Sequence, residues 1–172
     1  TNEDQVYPAL KPRPERARQP GLQRNFVPGS EWVYFKLYVS QTCQDEVLTC
    51  AVIKVADSLK SQGKIKQWFF IRYADPSAHL RVRFLLASNT SFNFVVDSLN
   101  EAINQYTVSG AVDLVQIDTY RRELERYHGE FIIASEQLFF ADSIACIEII
   151  NTLEQNDPKC RWLAGLLSID YL

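Results

Sequence analysis

The chain has 172 residues, 47% of them hydrophobic, with 18 Lys and Arg against 21 Asp and Glu, a formal net charge of −3 and a pI of about 5.4. That length suits one domain with a real core, and the acidic balance argues against a nucleic-acid binder, which normally carries a basic surplus. Charges interrupt every apolar run well before the ~18 residues a membrane span needs, and no charged-then-apolar leader opens the chain, so a cytoplasmic protein without a membrane span is expected.

Residues 1 to 30 hold five of the seven prolines (Pro8, Pro12, Pro14, Pro20 and Pro28) among Arg and Lys, with few large apolar residues. They predict a linker or extended arm, leaving 31–172 as a single α+β domain. From Glu31, "EWVYFKLYVS" alternates as a strand in which Val33, Phe35, Leu37 and Val39 share one face. "DEVLTCAVIKVADSLKSQG" has helical spacing through Val47, Ala51, Val55 and Leu59, with Gly63 as its stop. "QWFFIRY" and "HLRVRFLLAS" predict two strands joined as a hairpin through a turn at Pro76. "FNFVVDSLNEAINQY" predicts a second helix, "VDLVQIDTY" a fourth strand, and a long helix runs from about Ser135 to Leu153. It breaks at Pro158, after which a last helix opens.

The order β-α-β-β-α-β predicts a ferredoxin-like, four-stranded antiparallel sheet with both helices on one face and additional C-terminal helices. Alternation then puts Trp32, Tyr34, Lys36 and Tyr38 on the other face with His79, Arg81 and Arg83, and edge strands are expected to add Trp68, Phe70 and Arg72, and Gln116, Asp118 and Tyr120. Such an aromatic and cationic platform could stack single-stranded RNA, but the Lys/Arg-Gly-Phe/Tyr signature is absent. Alternatively the later helices fold back over the face and the arginines pair with Asp or Glu. Cys43, Cys50, Cys146 and Cys160 are scattered without a CxxC pair or Cys/His cluster, so buried free thiols are expected, with no metal site. Nothing in the sequence calls for a cofactor.

Three motifs, "EWVYFKLY", "WFFIRYADPSAHLRVRF" and "DTYRRELERYHGE…SEQLFFADS", spanning Trp32 to Ser143, resemble the C-terminal domain of lantibiotic dehydratases, also found as the free-standing thiopeptide-type bacteriocin biosynthesis protein. The resemblance implies that a partner glutamylation domain or subunit transfers glutamate from glutamyl-tRNA to Ser or Thr of a precursor peptide. The C-terminal domain then eliminates the glutamate to leave dehydroalanine or dehydrobutyrine. The chain would meet tRNA only through that partner, and a homodimer is left open. By the same resemblance Arg81 and Arg83 fall on the family's arginine pair, and Glu123, Arg126 and Tyr127 on its Glu-x-x-Arg-Tyr motif. The arginines would bind glutamate and the developing oxyanion, since guanidinium stays charged and makes bidentate carboxylate contacts. Glu123 would orient an arginine, and His79, Arg72, Tyr127 and Tyr34 would contact substrate.

Two departures accompany the resemblance. His128 stands where the family has Gly, with a one-residue-shorter interval to Ser135 and Glu136, and the family's catalytic His lies in a C-terminal region this chain lacks. His79 either stands in for it or supports the turn, and His128 is expected to be a loop residue. The start at Thr1 and the lack of Met predict an excised domain, truncated at its C-terminus, or a sequence from which modified Met residues have dropped out. Other readings of the same fold are a non-catalytic module binding the leader peptide or the partner domain, and a thiopeptide cycloaddition enzyme.

Overall fold

The structure, a computed structural model, describes residues 21–152. In chain order these form β1 (Asn25–Phe26), β2 (Trp32–Val39), α1 (Gln44–Val47), a π-helical turn (Leu48–Val52), α2 (Ile53–Ser61), β3 (Ile65–Tyr73), β4 (His79–Leu86), α3 (Phe92–Val108), β5 (Val112–Asp118), β6 (Tyr120–Arg121) and α4 (Ile132–Thr152). The main sheet is antiparallel with strand order β3-β4-β2-β5, and β1 pairs with β6 in a separate two-stranded ribbon. The protein is thus α+β, with the strands of "EWVYFKLYVS" and "HLRVRFLLAS" at the centre of the sheet.

One face of the sheet builds the main core. Val33, Phe35 and Leu37 of β2 and Leu80, Val82 and Phe84 of β4, all fully buried, pack with Leu48, Val52 and Leu59 of the first helical stretch and with Val95, Leu99 and Ile103 of α3. The helix through Ser61 stops as expected. Gly63 takes φ +65°, and the Lys64 N–H closes back on the Leu59 carbonyl at 2.8 Å, which satisfies carbonyls the helix end would orphan.

The second face carries its own cluster, Phe26, Trp32, Tyr34, Phe69 and Tyr120, with Phe139 of α4 packed against it. Two expectations are corrected here. The arm predicted for residues 1 to 30 is, at its described end, part of the fold, because Asn25 pairs with Arg121 and Phe26, fully buried, stacks on Tyr120 with ring centroids 5.8 Å apart. One large ring burying its whole surface outweighs the local proline content.

The other correction concerns β3. Its register places Phe69 opposite Arg83, Ile71 opposite Arg81 and Tyr73 opposite His79. The connection between the two strands is residues 74–78, an odd number, so odd-numbered residues face odd-numbered ones across the hairpin. Trp68, Phe70 and Arg72 therefore lie on the helix-covered face, and Trp68 is fully buried in the main core.

The helix α4, which starts three residues before the expected Ser135, lies along the outer edge of β3. Ser143 Oγ accepts the Phe70 backbone N–H at 3.1 Å, capping a donor the edge strand would leave unpaired. From that line Phe139 reaches the second cluster and Ile147 the main core. The expected break at Pro158 and the last helix lie outside the described residues. Cys43, Cys50 and Cys146 are free thiols, but Cys50 is exposed and the other two only partly buried, so the expectation of burial does not hold for them; Cys160 lies outside the described residues. Among the described residues no helix is long and apolar enough to cross a membrane.

Candidate functional site

The second face is a grid of directly opposed side chains. Along β4 it presents His79, Arg81 and Arg83; across from them on β2 stand Tyr38, Lys36 and Tyr34, and on β3 Tyr73, Ile71 and Phe69. The fourth strand adds Asp118 opposite Tyr34 and Gln116 opposite Lys36. Tyr34 and Arg83 are buried, whereas Lys36, Tyr38 and Arg81 are partly exposed and Ile71 and Tyr73 lie open to solvent. The face thus has a sealed end and an open end, with the arginines on either side of the boundary.

Arg83 occupies the sealed end and is 7% exposed. Its guanidinium carbon lies 4.5 Å from the Tyr34 ring centroid, 4.9 Å from Tyr120 and 5.1 Å from Phe69, an aromatic box that holds the cation by ring quadrupoles rather than by a carboxylate. Among the described residues its Nε and Nη1 atoms are buried without a hydrogen-bond acceptor, and so is Nε1 of Trp32, whose ring meets Tyr120 and Phe69 edge-on. Burial lowers the Arg83 pKa from its ordinary value, against the Tyr34 and Tyr120 hydroxyls; the like charge of Arg81 adds to the lowering and Glu123 opposes it. Buried donors without acceptors are costly, and they are the groups an incoming anion satisfies.

Arg81 stands at the open end. Its guanidinium carbon lies 3.5 Å from the Tyr73 ring centroid, and its Nε donates to His79 Nε2 at 3.0 Å. Beside it Lys36 contacts Asp118 at 2.5 Å. The hydrogen bond from Lys36 holds the Asp118 carboxyl below its ordinary value, burial opposes this, and the Thr119 N–H adds to the lowering. His79 is 1% exposed, its ring between Tyr38 and Tyr73, and Nδ1 meets the Ser77 carbonyl at 2.8 Å. The imidazole is thus enclosed by the two rings, the Ser77 carbonyl and the Arg81 side chain.

The segment after β6 closes over the sealed end. Glu123 and Arg126 form an exposed pair at 3.4 Å, and Tyr127 packs edge-on against Phe139, which in turn packs on Phe69 of the Arg83 box. Its turn is made by a hydrogen bond from Gly129 N–H to the Leu124 carbonyl at 2.8 Å, with His128 at φ 47°, ψ 49°. That left-handed conformation is the physical reason a glycine suits this position, and His128 is exposed in the loop as expected.

Of the eight predicted site residues, Arg81, Arg83, His79 and Tyr34 share the grid. Glu123 lies close enough for its charge to act on Arg83, and Tyr127 reaches the box through Phe139. Arg126 sits on the surface beside Glu123. Arg72 is a correction: the hairpin register turns it to the opposite face, where it contacts Asp45 of α1 at 2.5 Å. The expected alternative, helices folding back over the face, holds for the sealed end only, and there the arginine meets rings instead of acids.

Sequence reasoning missed a buried ion pair. Arg122 donates from Nε and Nη2 to Glu136 at 2.7 and 2.6 Å, Tyr120 Oη donates to the same carboxylate at 2.8 Å, and Arg122 Nη1 reaches the Gln23 carbonyl at 3.2 Å. A signal was available, since Glu136 is the lone acid in the mostly apolar stretch from Phe131 to Ala141.

The sequence model of the family described as "Lantibiotic biosynthesis dehydratase C-term" matches residues 32–172. Subtilin biosynthesis protein SpaB of Bacillus subtilis is 29% identical over 95% of this chain, and nisin biosynthesis protein NisB of Lactococcus lactis subsp. lactis 28% identical over 87%. The chain spans only 17% and 15% of their respective lengths. Among solved structures, the tRNA dependent lantibiotic dehydratase MibB from Microbispora sp. 107891 aligns with a TM-score of 0.66 and 28% identity, covering 73% of this chain and 12% of MibB. TsrL shares the fold, with a TM-score of 0.57 at 17% identity over 76% of this chain and 37% of TsrL. With the family match covering most of its length, the chain belongs to the lantibiotic biosynthesis dehydratase C-terminal family.

Proposed function

We propose that this domain eliminates glutamate from glutamylated Ser or Thr of a ribosomally made precursor peptide, in lantibiotic or thiopeptide biosynthesis. In that reaction a base takes the α-proton, the Cβ–O bond breaks, the electron pair of the C–H bond becomes the new Cα=Cβ bond, and glutamate departs as a carboxylate. The observation that carries the reading is Arg83: a buried guanidinium in an aromatic box whose Nε and Nη1 have no acceptor among the described residues, with Arg81 two residues along the same strand face. A fixed cation held away from water interacts with developing negative charge far more strongly than a solvated one. Arg81 and Arg83 hold the leaving carboxylate and the amide oxygen that gains charge, and Tyr34 and Tyr127 shape the pocket. Glu123 tunes the arginines, with Arg126 joining when the peptide is bound.

On the grid His79 is partnered by Arg81 and Asp118 by Lys36, so the role proposed for the described residues is anion binding by the two arginines. The names of SpaB, NisB and MibB, which refer to subtilin, nisin and tRNA dependent lantibiotic dehydration, support a precursor peptide as substrate and a glutamylation domain or subunit as partner. Transfer RNA would meet that partner only. The reading places the reaction in the cytoplasm, where glutamyl-tRNA is found. The strand order, with the first and third expected strands central, supports a ferredoxin-like arrangement.

The test is to incubate the intact protein with a chemically glutamylated precursor peptide and follow the peptide by mass spectrometry. Loss of glutamate with formation of a dehydroamino acid is expected. Arg81→Ala should let the glutamylated peptide accumulate, with a rate loss of about 10²-fold or more. A peptide that co-purifies unchanged would replace the reaction with a binding role, and dehydration at the wild-type rate in Arg81→Ala would remove the arginine from the mechanism.

A further inference from the structure

Among the described residues, Arg81 makes its side-chain hydrogen bond through Nε to His79, and that partner is itself fixed. The His79 ring is buried between Tyr38, centroid 4.9 Å away on β2, and Tyr73, 5.4 Å away on β3. A carbonyl can only accept, so the Ser77 oxygen at 2.8 Å requires the proton on Nδ1; Arg81 Nε–H can only donate, so Nε2 must present its lone pair. The two demands agree on one neutral tautomer, and the ring has no freedom left to satisfy them otherwise.

For Arg81 the consequences are geometric. An arginine side chain on a sheet face ordinarily samples many rotamers, and ordering it costs conformational entropy. Here the Nε–H is committed to His79 and the guanidinium plane is seated over Tyr73 at 3.5 Å. Among the described residues Asp118 acts on Arg81 through its charge, and the Nη1/Nη2 end offers a ligand two parallel N–H groups that match the two oxygens of a carboxylate.

We propose that His79 is a positioning residue: through the bond from Arg81 Nε to its Nε2 it fixes Arg81 so that the Nη end presents a ready-made fork to a carboxylate group. The inference rests on the proposed elimination only for the identity of that carboxylate. His79 itself touches no substrate. It acts by preorganisation, which improves binding by removing an ordering cost rather than by adding a contact.

The test uses the intact protein with glutarate, a plain five-carbon dicarboxylate, as probe, and reads the Arg81 Nε–H resonance and the glutarate affinity by NMR. His79→Asn keeps an amide near Nδ1 for the Ser77 carbonyl but removes the acceptor at Nε2; His79→Gln places its amide oxygen near Nε2. Wild type should show a slowly exchanging Arg81 Nε–H and bind glutarate. His79→Asn should lose the slow exchange and bind about 10-fold more weakly, His79→Gln should recover part of both, and His79→Asn should have no further effect on affinity in an Arg81→Ala background. Losses that multiply in the double variant, or an unaltered Arg81 resonance in His79→Asn, would overturn the proposal. If no variant folds except His79→Gln, the exchange rate in that variant decides, since a merely turn-supporting histidine would leave Arg81 free in it and in wild type alike. Glutarate binding that depends on His79 in a protein without elimination activity would refute the reaction and keep the positioning role. Elimination at equal kcat/KM in wild type and His79→Asn, with equal glutarate affinity, would do the reverse.

Discussion

Replacing Arg122 by Met should be among the most destabilising single changes available to the protein. The Glu136 side chain is 2% exposed and the Arg122 side chain 8%, and the carboxylate takes both of its guanidinium bonds, at 2.6 and 2.7 Å, from this one residue. Hydrogen bonds to charged groups are worth about 1.5–3 kcal/mol each. Arg122→Met removes two and leaves a buried carboxylate held, among the described residues, by Tyr120 Oη, a situation that costs about 3–5 kcal/mol. At about 2–4 °C per kcal/mol for a chain of this size, the midpoint should fall by roughly 6–20 °C. Glu136→Leu alone strands the guanidinium in the same way. The double variant Arg122→Met with Glu136→Leu strands neither charge, so its loss should fall short of the sum of the singles by at least about 2 kcal/mol. Equilibrium unfolding in urea, followed by tryptophan fluorescence, reads this directly because Trp32 lies edge-on to Tyr120, 5.2 Å between ring centroids. A single-variant loss below about 1 kcal/mol, or strict additivity in the double, would refute the assignment of this pair as a closed, mutually dependent unit.

Arg83 should behave in the opposite sense. Arg83→Met removes a buried cation that meets no carboxylate among the described residues, so stability in the same urea assay should stay within about 1 kcal/mol of wild type while glutamate elimination, followed by mass spectrometry, falls by about 10²-fold or more; a large stability loss would recast Arg83 as structural. Asp118→Asn should flatten the acid limb of the stability curve. The folded Asp118 pKa lies below its ordinary 3.8, so its contribution is fully present above that value and is lost as pH falls through the lowered one; parallel wild-type and variant curves from pH 5 to pH 2 would contradict it. Phe26→Ala should cost about 3–5 kcal/mol, since the ring is fully buried on Tyr120 and beneath the Arg122 guanidinium; a loss under about 1 kcal/mol in a urea titration would return β1 to the status of a loose arm.

Much of the fold was legible because period and punctuation agree. Apolar alternation through Val33, Phe35 and Leu37 and the stop at Gly63 are local signals, and the structure follows them. Alternation likewise puts the two arginines of "HLRVRF" on the face they occupy, but it treats Arg81 and Arg83 alike. Their difference, one sealed among rings and the other half-open on a histidine, depends on β1, β6 and α4 arriving over one end of the sheet. Nor could local pattern find Phe26, a single ring whose partners, Tyr120 and Arg122, lie far along the chain. The pairing of Arg122 with Glu136 joins two elements whose contact is tertiary. Arg72 departs from the alternation for a simpler reason: the side a strand residue faces follows from counting through the turn.

That count also limits how the protein can vary. The main core needs Trp68 inside, and the Arg83 box needs Phe69 as its wall, so the two neighbours must keep opposite sides. Adding or deleting one residue between Tyr73 and His79 would either invert β3, expelling the Trp68 indole from the core and taking Phe69 away from Arg83, or force a new bulge to absorb the change. Two residues at a time would leave both sides as they are. Among natural variants of this domain, the hairpin between the Trp68 and Arg83 strands should therefore lengthen and shorten in even steps, with odd steps accompanied by an irregularity in one strand.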